Sequence, residues 1–205
     1  MMDILNNKKL REAFKSLKVK SSVLVATFQE GYIGKSVYKV TLNDGSTRMC
    51  EQILKNKRNG DAVVIIPITQ DGNFVMVVQS RPNTDETVVV EFPAGMVDKG
   101  EDPSVSAERE LLEETGYVAD HIYELEWHYQ DQGCSKAIIR TYIAEGCRKV
   151  QEKKLDDGER LESLEMEYND ILDMLRTGKE DVPAISDANS KIAIMQYTLR
   201  KRGIL

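Results

Sequence analysis

The chain has 205 residues, of which 41% are hydrophobic and 30% are charged, and its formal net charge is −6. A chain of this length can bury a sizeable core as one domain, or as one domain with a small appendage. The acidic balance argues against non-specific binding to nucleic acid, which depends on clustered lysine and arginine, so we expect no nucleic-acid partner.

The cysteines and the N-terminal residues indicate a cytoplasmic protein. Cys50, Cys134 and Cys147 are widely spaced and form no C-x-x-C pair, which favours reduced thiols over a disulfide framework or a zinc site. The N-terminal sequence MMDILNNKKLREAF is too polar for the apolar region of a signal peptide. Since no apolar run approaches the roughly 18 residues of a membrane-spanning helix, we predict a soluble, cytoplasmic protein without a membrane partner.

The first 57 residues are predicted to form a separate unit. Residues 3–17 place apolar side chains among lysines and arginines, as in a short amphipathic helix. Three β-like runs follow from Ser21, and the last two are separated by a turn sequence at residues 43–45. We therefore expect a helix and a three-stranded antiparallel unit in residues 1–57, and a second domain in residues 58–205. Three strands are too few to bury their own apolar face, so this unit should pack on the second domain or on another subunit.

The second domain is predicted to mix strands and helices. Its first strands are DAVVIIPIT, NFVMVVQSR and ETVVVEFPAG, and the turn Asp71-Gly72 should join the first two into a buried hairpin. Further strands are expected in HIYELEWHYQ, AIIRTYIAEG and ERLESLEMEY, and a short helix in NDILDMLRTG. A longer helix should follow in SDANSKIAIMQYTLRKRG, with Ser186 or Asp187 as its N-cap. Strands interleaved with helices indicate an α/β fold.

The stretch GMVDKGEDPSVSAERELLEETGY contains the strongest local pattern in the chain. Asp102 can act as an N-cap, Pro103 suits the first helical position, and Gly116 can end a helix. We therefore predict a helix over residues 103–115.

Three glutamates of this helix should share one face. At 3.6 residues per turn, spacings of i, i+3 and i+4 bring together Glu110, Glu113 and Glu114. The opposite face is predicted to dock on the core through the apolar residues Val105, Leu111 and Leu112. An acidic helix face is often only solvated, but like charges at this spacing repel one another, and a hard cation such as Mg²⁺ would remove the repulsion.

A set of residues at fixed intervals strengthens the metal-site interpretation. They are Gly95, Glu101, Arg109, Glu110, Glu113, Glu114 and Gly116, with Leu111 and Tyr117 at two apolar positions. This pattern resembles the Nudix box, G-x5-E-x7-R-E-U-x-E-E-x-G-U, in which U is apolar. The resemblance implies an α/β/α sandwich with a mixed sheet. It also implies hydrolysis of nucleoside diphosphates linked to another moiety, with the help of divalent cations.

The same resemblance implies roles for individual residues. The ligands of Mg²⁺, or of Mn²⁺, would be Glu110, Glu113, Glu114 and the backbone carbonyl of Ala94. Arg109 would hold the helix to the preceding loop by pairing with a glutamate of the box such as Glu101. Taken alone, these two residues would favour the interpretation as an ordinary surface ion pair.

Features outside the box resemble the ADP-sugar pyrophosphatase branch, the ADP-ribose hydrolases in particular. They are the run VVEFPAG, the N-terminal three-stranded unit and the final amphipathic helix. That branch is homodimeric through its N-terminal strands. Substrate-side residues implied by the resemblance are Arg81 and Glu91, with Arg58 as a further candidate that could equally be a solvated loop charge. Gly133 is a fourth candidate, in a segment that takes the place of a Ser-Pro-Gly-like sequence but lacks its proline.

The catalytic base of this branch lies in an acidic loop far downstream of the box. The matching stretch here is LDDGERLE, and Glu159 is the expected base. Asp157 and Glu162 are its alternatives, and a simple charged turn is the structural alternative.

These features predict a Mg²⁺-dependent Nudix hydrolase that cleaves the diphosphate of an ADP-sugar such as ADP-ribose into AMP and a sugar phosphate. One alternative is a Nudix hydrolase of another nucleotide: a nucleoside triphosphate, a dinucleoside polyphosphate or a different nucleotide sugar. The other is a non-catalytic, nucleotide-sensing regulator. Such proteins tend to lose glutamates of the box or to add a basic helix-turn-helix, and this chain does neither.

Overall fold

The computed structural model describes residues 7–84, 87–176 and 184–205. The chain divides into a first unit of residues 1–60 and 131–137 and a second unit of residues 61–130 and 138–205. The domain boundary after residue 57 stays a prediction. Within the described ranges, no helix is long and apolar enough to cross a membrane.

The first unit contains a short helix and a three-stranded antiparallel sheet. Helix α1 covers Lys8–Leu17 and begins after Asn7, whose side chain accepts the N–H of Leu10 at 3.0 Å. Residues 3–6 of the predicted helix lie outside the described residues. The strands, in the order β1-β2-β3, are β1 (Val19–Gln29), β2 (Ile33–Leu42) and β3 (Thr47–Lys55). The predicted three-stranded unit is confirmed.

The second unit is built on a mixed, eight-stranded sheet. Its strands are β4 (Ala62–Thr69), β5 (Phe74–Arg81), β6 (Thr87–Glu91), β7 (Ala94–Met96), β8 (Tyr117–Val118), β9 (His121–Tyr129), β10 (Ile138–Lys149) and β11 (Leu161–Met166). The order is β11-β5-β4-β10-β8, with β6 beside β5, β7 beside β4 and β9 beside β10. Strands β4 and β10 run parallel, and the other pairs are antiparallel. The helices are α2 (Pro103–Thr115), α3 (Tyr168–Arg176) and α4 (Ala188–Lys201).

Strand β4 shows why this sheet carries helices on both faces. Successive side chains of a strand point to opposite sides of the sheet. Val63 and Ile65 belong to a buried cluster with residues of α2, whereas Val64 and Ile66 belong to one with residues of α3 and α4. All four side chains are essentially inaccessible to solvent. The α/β fold predicted from the sequence, with its small N-terminal antiparallel sheet, is therefore confirmed.

The predicted hairpin of β4 and β5 is formed only next to its turn. The N–H of Thr69 donates to the carbonyl of Asn73 at 2.8 Å, and Ile68 pairs with Phe74. Further along, β4 pairs with β7 and β10, whereas β5 pairs with β6 and β11. The two strands therefore diverge beyond the turn, and β7, which contains Gly95, pairs with β4.

Candidate active site

Helix α2 begins and ends at the predicted residues. The Asp102 carboxylate accepts the N–H of Ser104 at 2.9 Å, and Pro103 occupies the first turn. Gly116 has a left-handed φ of 78°, and its N–H donates to the carbonyl of Leu112 at 2.9 Å. A side chain larger than hydrogen is disfavoured at such a φ, which explains the glycine that ends the helix.

The face of α2 that packs on the core differs from the prediction. Val105 is 50% exposed, so its assignment to the docking face is wrong, whereas Leu111 and Glu114 are 1% and 4% exposed. Ala107, Leu111 and Glu114 are spaced as i, i+4 and i+7, which is the spacing of a single helical stripe. A carboxylate of the acidic set therefore lies on the buried stripe itself and not opposite to it.

Glu114 is a buried carboxylate, and Glu110 is a partly buried one. Glu114 accepts the N–H of Ala94 at 3.0 Å. Burial, which disfavours the charged form, raises the pKa of Glu114 to about 8, and the nearby charge of Glu110 contributes. Burial also raises the pKa of Glu110, although Arg109 opposes this shift. Both carboxyl groups are harder to ionise here than in water. A cation bound beside them would favour their charged forms, so the site suits a cation.

Arg109 holds three carboxylates and one carbonyl. Its guanidinium lies 3.1 Å from Glu101, 2.7 Å from Glu110 and 3.1 Å from Glu113, and it donates to the carbonyl of Met96 at 3.2 Å. Hydrogen bonds from Arg109, and then from Ser106, lower the pKa of Glu101 to about 2. The arginine thus ties α2 to the loop that follows β7, in the pairing with Glu101 that the sequence resemblance implies.

Gly95 leaves the space that the Glu110 carboxylate occupies. A Cβ atom built on Gly95 would overlap the carboxylate carbon and both carboxylate oxygens of Glu110. Gly95 is not among the glycines with a positive φ, so space and not backbone conformation explains this glycine.

Arg81 and Glu91, two predicted substrate-side residues, form a close pair. Arg81 donates from Nε at 3.2 Å and from Nη2 at 2.7 Å to the two carboxylate oxygens of Glu91, which also accepts from Gln79 at 2.7 Å. Glu91 is only 7% exposed. Bonding to Glu91 raises the pKa of Arg81, and the charges of Glu114 and Asp187 contribute, so this pair lies within electrostatic reach of the buried Glu114.

Glu159, the expected base, is electrostatically coupled to Glu110 and Glu114. After burial and nearer charges, its negative charge also raises the pKa of Glu110 and of Glu114. Its own side chain accepts the N–H of Asp156 at 3.1 Å, within the loop. Glu162 instead forms an ion pair with Lys153. The loop, together with β5 and β6, lines a cavity of about 570 Å³ to which Gln79 and Asp157 contribute.

Arg58 and Gly133 belong to the first unit. The backbone N–H and carbonyl of Arg58 exchange hydrogen bonds with Lys55 at 3.0 and 2.9 Å. Gly133 donates its N–H to the Asp131 carboxylate at 2.8 Å. Residues 131–137 join this unit through the carbonyl of Cys134, which accepts a hydrogen bond from the N–H of Ile53 at 2.7 Å.

Comparison with known protein families decides the classification. A model of the NUDIX domain matches residues 58–185. The chain belongs to the Nudix family. It is accordingly a hydrolase, a Nudix-type pyrophosphatase, and residues 95–117 are its Nudix box.

The curated relatives extend over most of this Nudix chain. The chain is 31% identical to an ADP-ribose pyrophosphatase of Bacillus subtilis (strain 168) over 188 residues, which cover 91% of this chain and 96% of the relative. It is 33% identical to a methanol dehydrogenase activator of Bacillus methanolicus over 163 residues, 79% of this chain and 83% of the relative. A crystal structure of an ADP compounds hydrolase matches with a TM-score of 0.72 and 20% identity, covering 93% of this chain and 97% of that one. This last likeness concerns the fold.

Nudix hydrolases generally depend on divalent metal ions, and the donors of this Nudix site suit such an ion. Carboxylate oxygens are the ligands that hard cations prefer. Glu114 is buried and Glu110 is partly buried, desolvation raises the pKa values of both, and Gly95 leaves space beside Glu110. Within the described residues, no three acidic, histidine or cysteine side chains are arranged as a metal site. In this structure Glu110 and Glu113 pair with Arg109.

Sequence reasoning missed the roles of three residues near Arg81 and the segment that precedes the Nudix box. Gln79 contacts Glu91, Ser190 contacts the backbone of Phe92, and Asp187 adds its charge to the environment of Arg81. Asp187 was recognised only as a candidate N-cap, which it is, since its carboxylate accepts the N–H of Ser190 at 2.7 Å. The polar sequence SDANS before an amphipathic helix was the only local signal for this region.

Replacing Glu101 by glutamine should destabilise the protein at neutral pH but not in acid. The lowered pKa of about 2, against an ordinary value of 4.5, means that the ionised pair stabilises the fold above pH 4.5 and that this contribution is lost as the pH falls toward 2. We expect Glu101→Gln to lower Tm by about 2–4 °C at pH 7. The difference in Tm between this variant and the parent protein, measured by calorimetry in the presence of EDTA, should become smaller below pH 4.5. Glu108→Gln, at an exposed position of helix α2, is the control. A Tm difference that stayed constant down to pH 3 would contradict this role.

Proposed function

We propose that this Nudix hydrolase cleaves the diphosphate linkage of an ADP-sugar such as ADP-ribose, giving AMP and a sugar phosphate. The observation that carries the proposal is the buried Glu114, beside the partly buried Glu110 and within electrostatic reach of the Arg81–Glu91 pair. The carboxylates of Glu110 and Glu114 suit a cation, and the guanidinium of Arg81 suits a phosphate. The substrate class is supported by the 31% identity, over 91% of the chain, to a relative named ADP-ribose pyrophosphatase.

We assign the metal-binding role to residues of the box. Glu110, Glu114 and Glu113, with the backbone carbonyl of Ala94, would hold Mg²⁺ or Mn²⁺. Such an ion would neutralise charge on the diphosphate and lower the pKa of a water molecule. Arg109 fixes the position of α2 through Glu101 and Met96, so that Glu110 and Glu114 stay directed at the same place. Glu159 would accept a proton from the attacking water.

Arg81 would bind a phosphate group of the substrate. In this structure its guanidinium binds the carboxylate of Glu91 instead. We expect Arg81→Lys to raise KM about tenfold with less than about a threefold change in kcat, because lysine cannot form the two-pronged contact of a guanidinium. Steady-state kinetics would measure both constants. Arg140→Lys is the matched control, since Arg140 forms a similar pair with Glu124 at 2.8 Å between β10 and β9. An unchanged KM in the Arg81 variant would remove this residue from the binding site.

Glu159 is proposed as the general base. We expect Glu159→Gln to lower kcat about 30-fold, somewhat less than is typical for a base, because neighbouring carboxylates of the loop can partly replace it. Asp157→Asn and Glu162→Gln should each change kcat less than about threefold. If either of these variants lost activity while Glu159→Gln retained it, the base would be reassigned to that residue.

A substrate panel tests the proposed reaction. The purified protein would be incubated with Mg²⁺ and with ADP-ribose, other nucleotide sugars, dinucleoside polyphosphates and nucleoside triphosphates, and release of monophosphate or inorganic phosphate would be followed. Turnover of ADP-ribose well above the other compounds is the expected result. Preferred turnover of a triphosphate or a dinucleotide would instead assign the enzyme to another Nudix substrate class.

We also propose a homodimer formed through the N-terminal strands. Strand β1 supports this proposal because five of its apolar side chains are more than half exposed: Val19, Val23, Leu24, Val25 and Phe28. An apolar patch of this kind is typical of an interaction surface. Arg58 and Gly133, which belong to the same unit, are proposed as further substrate contacts. Sedimentation equilibrium should give twice the chain mass of 23.2 kDa, and a monomer would refute the proposal.

The proposed location is the cytoplasm. Cys50, Cys134 and Cys147 are all free thiols, which suits a reducing compartment.

A further inference from the structure

The segment between β6 and β7 is held by side chains of two different helices. The N–H of Phe92 donates to Oγ of Ser190 at 2.9 Å, and the N–H of Ala94 donates to the carboxylate of Glu114 at 3.0 Å. Pro93, between them, has no N–H, and its carbonyl accepts from Ile65 at 2.9 Å. The N-terminal end of α4 therefore fixes one peptide of this segment, and the Nudix helix fixes another two residues away.

Ser190 is itself fixed at the start of α4. It is 1% exposed, and its N–H donates to the Asp187 carboxylate at 2.7 Å. The hydroxyl oxygen then accepts from Phe92, a residue 98 positions earlier in the chain. Because this bond is buried, its loss would leave the N–H of Phe92 without water as a substitute partner, which costs more than the loss of an exposed bond.

The two residues that flank Phe92 and Pro93 explain why this anchor matters. Glu91, next to Phe92, binds Arg81 and Gln79. Ala94, after Pro93, bonds to Glu114 and provides one proposed metal ligand through its carbonyl. A displacement of the Phe92 peptide would therefore move both the phosphate-side pair and the metal-side backbone.

The geometry points to Ser190 as a positioning residue: through Phe92 it holds residues 91–94 in register with Glu114, so that the first turn of α4 supports the metal site. The importance of Ser190 for catalysis rests on the proposed function. Its effect on the backbone of residues 91–94 is independent of that function. Ser190 acts through the backbone of Phe92 and not by contact with substrate.

Backbone amide exchange in the metal-free protein tests this role. In Ser190→Ala, exchange at Phe92 and Ala94, followed by two-dimensional NMR, should become about five- to tenfold faster, the change that corresponds to one lost hydrogen bond. The affinity for Mn²⁺, measured by calorimetric titration, should fall by about the same factor. Thr198→Val is the matched control, since it also removes a hydroxyl from α4, one that lies 2.7 Å from the Tyr168 hydroxyl. This control should leave exchange at both amides and Mn²⁺ affinity within about twofold of the parent protein.

The inference would be overturned if amide exchange at Ala94 were unchanged in Ser190→Ala. It would also be overturned if Thr198→Val accelerated exchange at Phe92 and Ala94 as much as Ser190→Ala does. If Ser190→Ala does not fold, Asp187→Ala provides the same measurement. It removes the acceptor of the Ser190 N–H at a less buried position. Asp187→Asn keeps an acceptor oxygen for that N–H and should leave amide exchange at Phe92 and Ala94 within about twofold of the parent protein. A parent protein that bound no Mn²⁺ would contradict the proposed metal site, while the exchange result would still decide the role of Ser190.

Discussion

Replacing Glu114 by glutamine should lower the rate of substrate hydrolysis at least about a hundredfold while leaving the fold intact. Glutamine has the size of glutamate and keeps an oxygen that can accept the N–H of Ala94, a bond now 3.0 Å long. It lacks the negative charge that a divalent cation requires of this buried position, which is 4% exposed. The measurement is kcat/KM at saturating Mg²⁺ with the best substrate of the panel, together with Tm by calorimetry.

The matched control for this variant is Glu108→Gln. Glu108 lies on the same helix, carries the same side chain and is exposed. Its replacement should change kcat/KM less than about twofold, as is usual for a surface position. Near-normal turnover in Glu114→Gln, with Tm unchanged, would show that the assignment of the metal site to this face of α2 is wrong.

Local sequence patterns were sufficient to predict helix α2. Its N-cap, its first-turn proline and its terminal glycine act within a few residues of one another, so Asp102, Pro103 and Gly116 could be assigned from sequence alone. The docking face was harder to predict. Hydrophobicity alone placed Val105 inside and every glutamate outside, whereas the structure exposes Val105 and buries Glu114. A buried carboxylate departs from the usual pattern of buried apolar residues, so hydrophobic periodicity alone could not place it.

Contacts between distant parts of the chain could not be predicted. The bond between Phe92 and Ser190 joins residues 98 positions apart, and neither residue type signals its partner. Strand periodicity likewise predicted β4 and β5 but not their separation, because the pairing of β4 with β7 and β10 depends on segments that are remote in sequence. Resemblance to a known family named Arg81 and Glu91, but only the structure shows that they bind each other.

Replacing Gly95 by alanine should lower kcat/KM at least about a hundredfold with little loss of stability. The added Cβ would occupy the place of the Glu110 carboxylate. That carboxylate is the end of a flexible side chain, so it can move aside and the fold can survive. Because Gly95 has no positive φ, alanine should introduce no backbone strain. The loss should therefore appear in activity and in Mn²⁺ affinity, with Tm changing by less than about 4 °C.

A double-mutant cycle with Glu110→Ala isolates the cause of this loss. If Gly95 matters through the space that it leaves for the Glu110 carboxylate, then Gly95→Ala should have almost no further effect in a protein that already lacks that carboxylate. The two single variants should then be about equally impaired, and the double variant should resemble either one. Additive losses would instead mean that alanine disturbs the backbone of β7 directly. In that case glycine at position 95 would be needed to keep the neighbouring backbone in place. Ala94 bonds to Glu114 there, and Met96 bonds to Arg109.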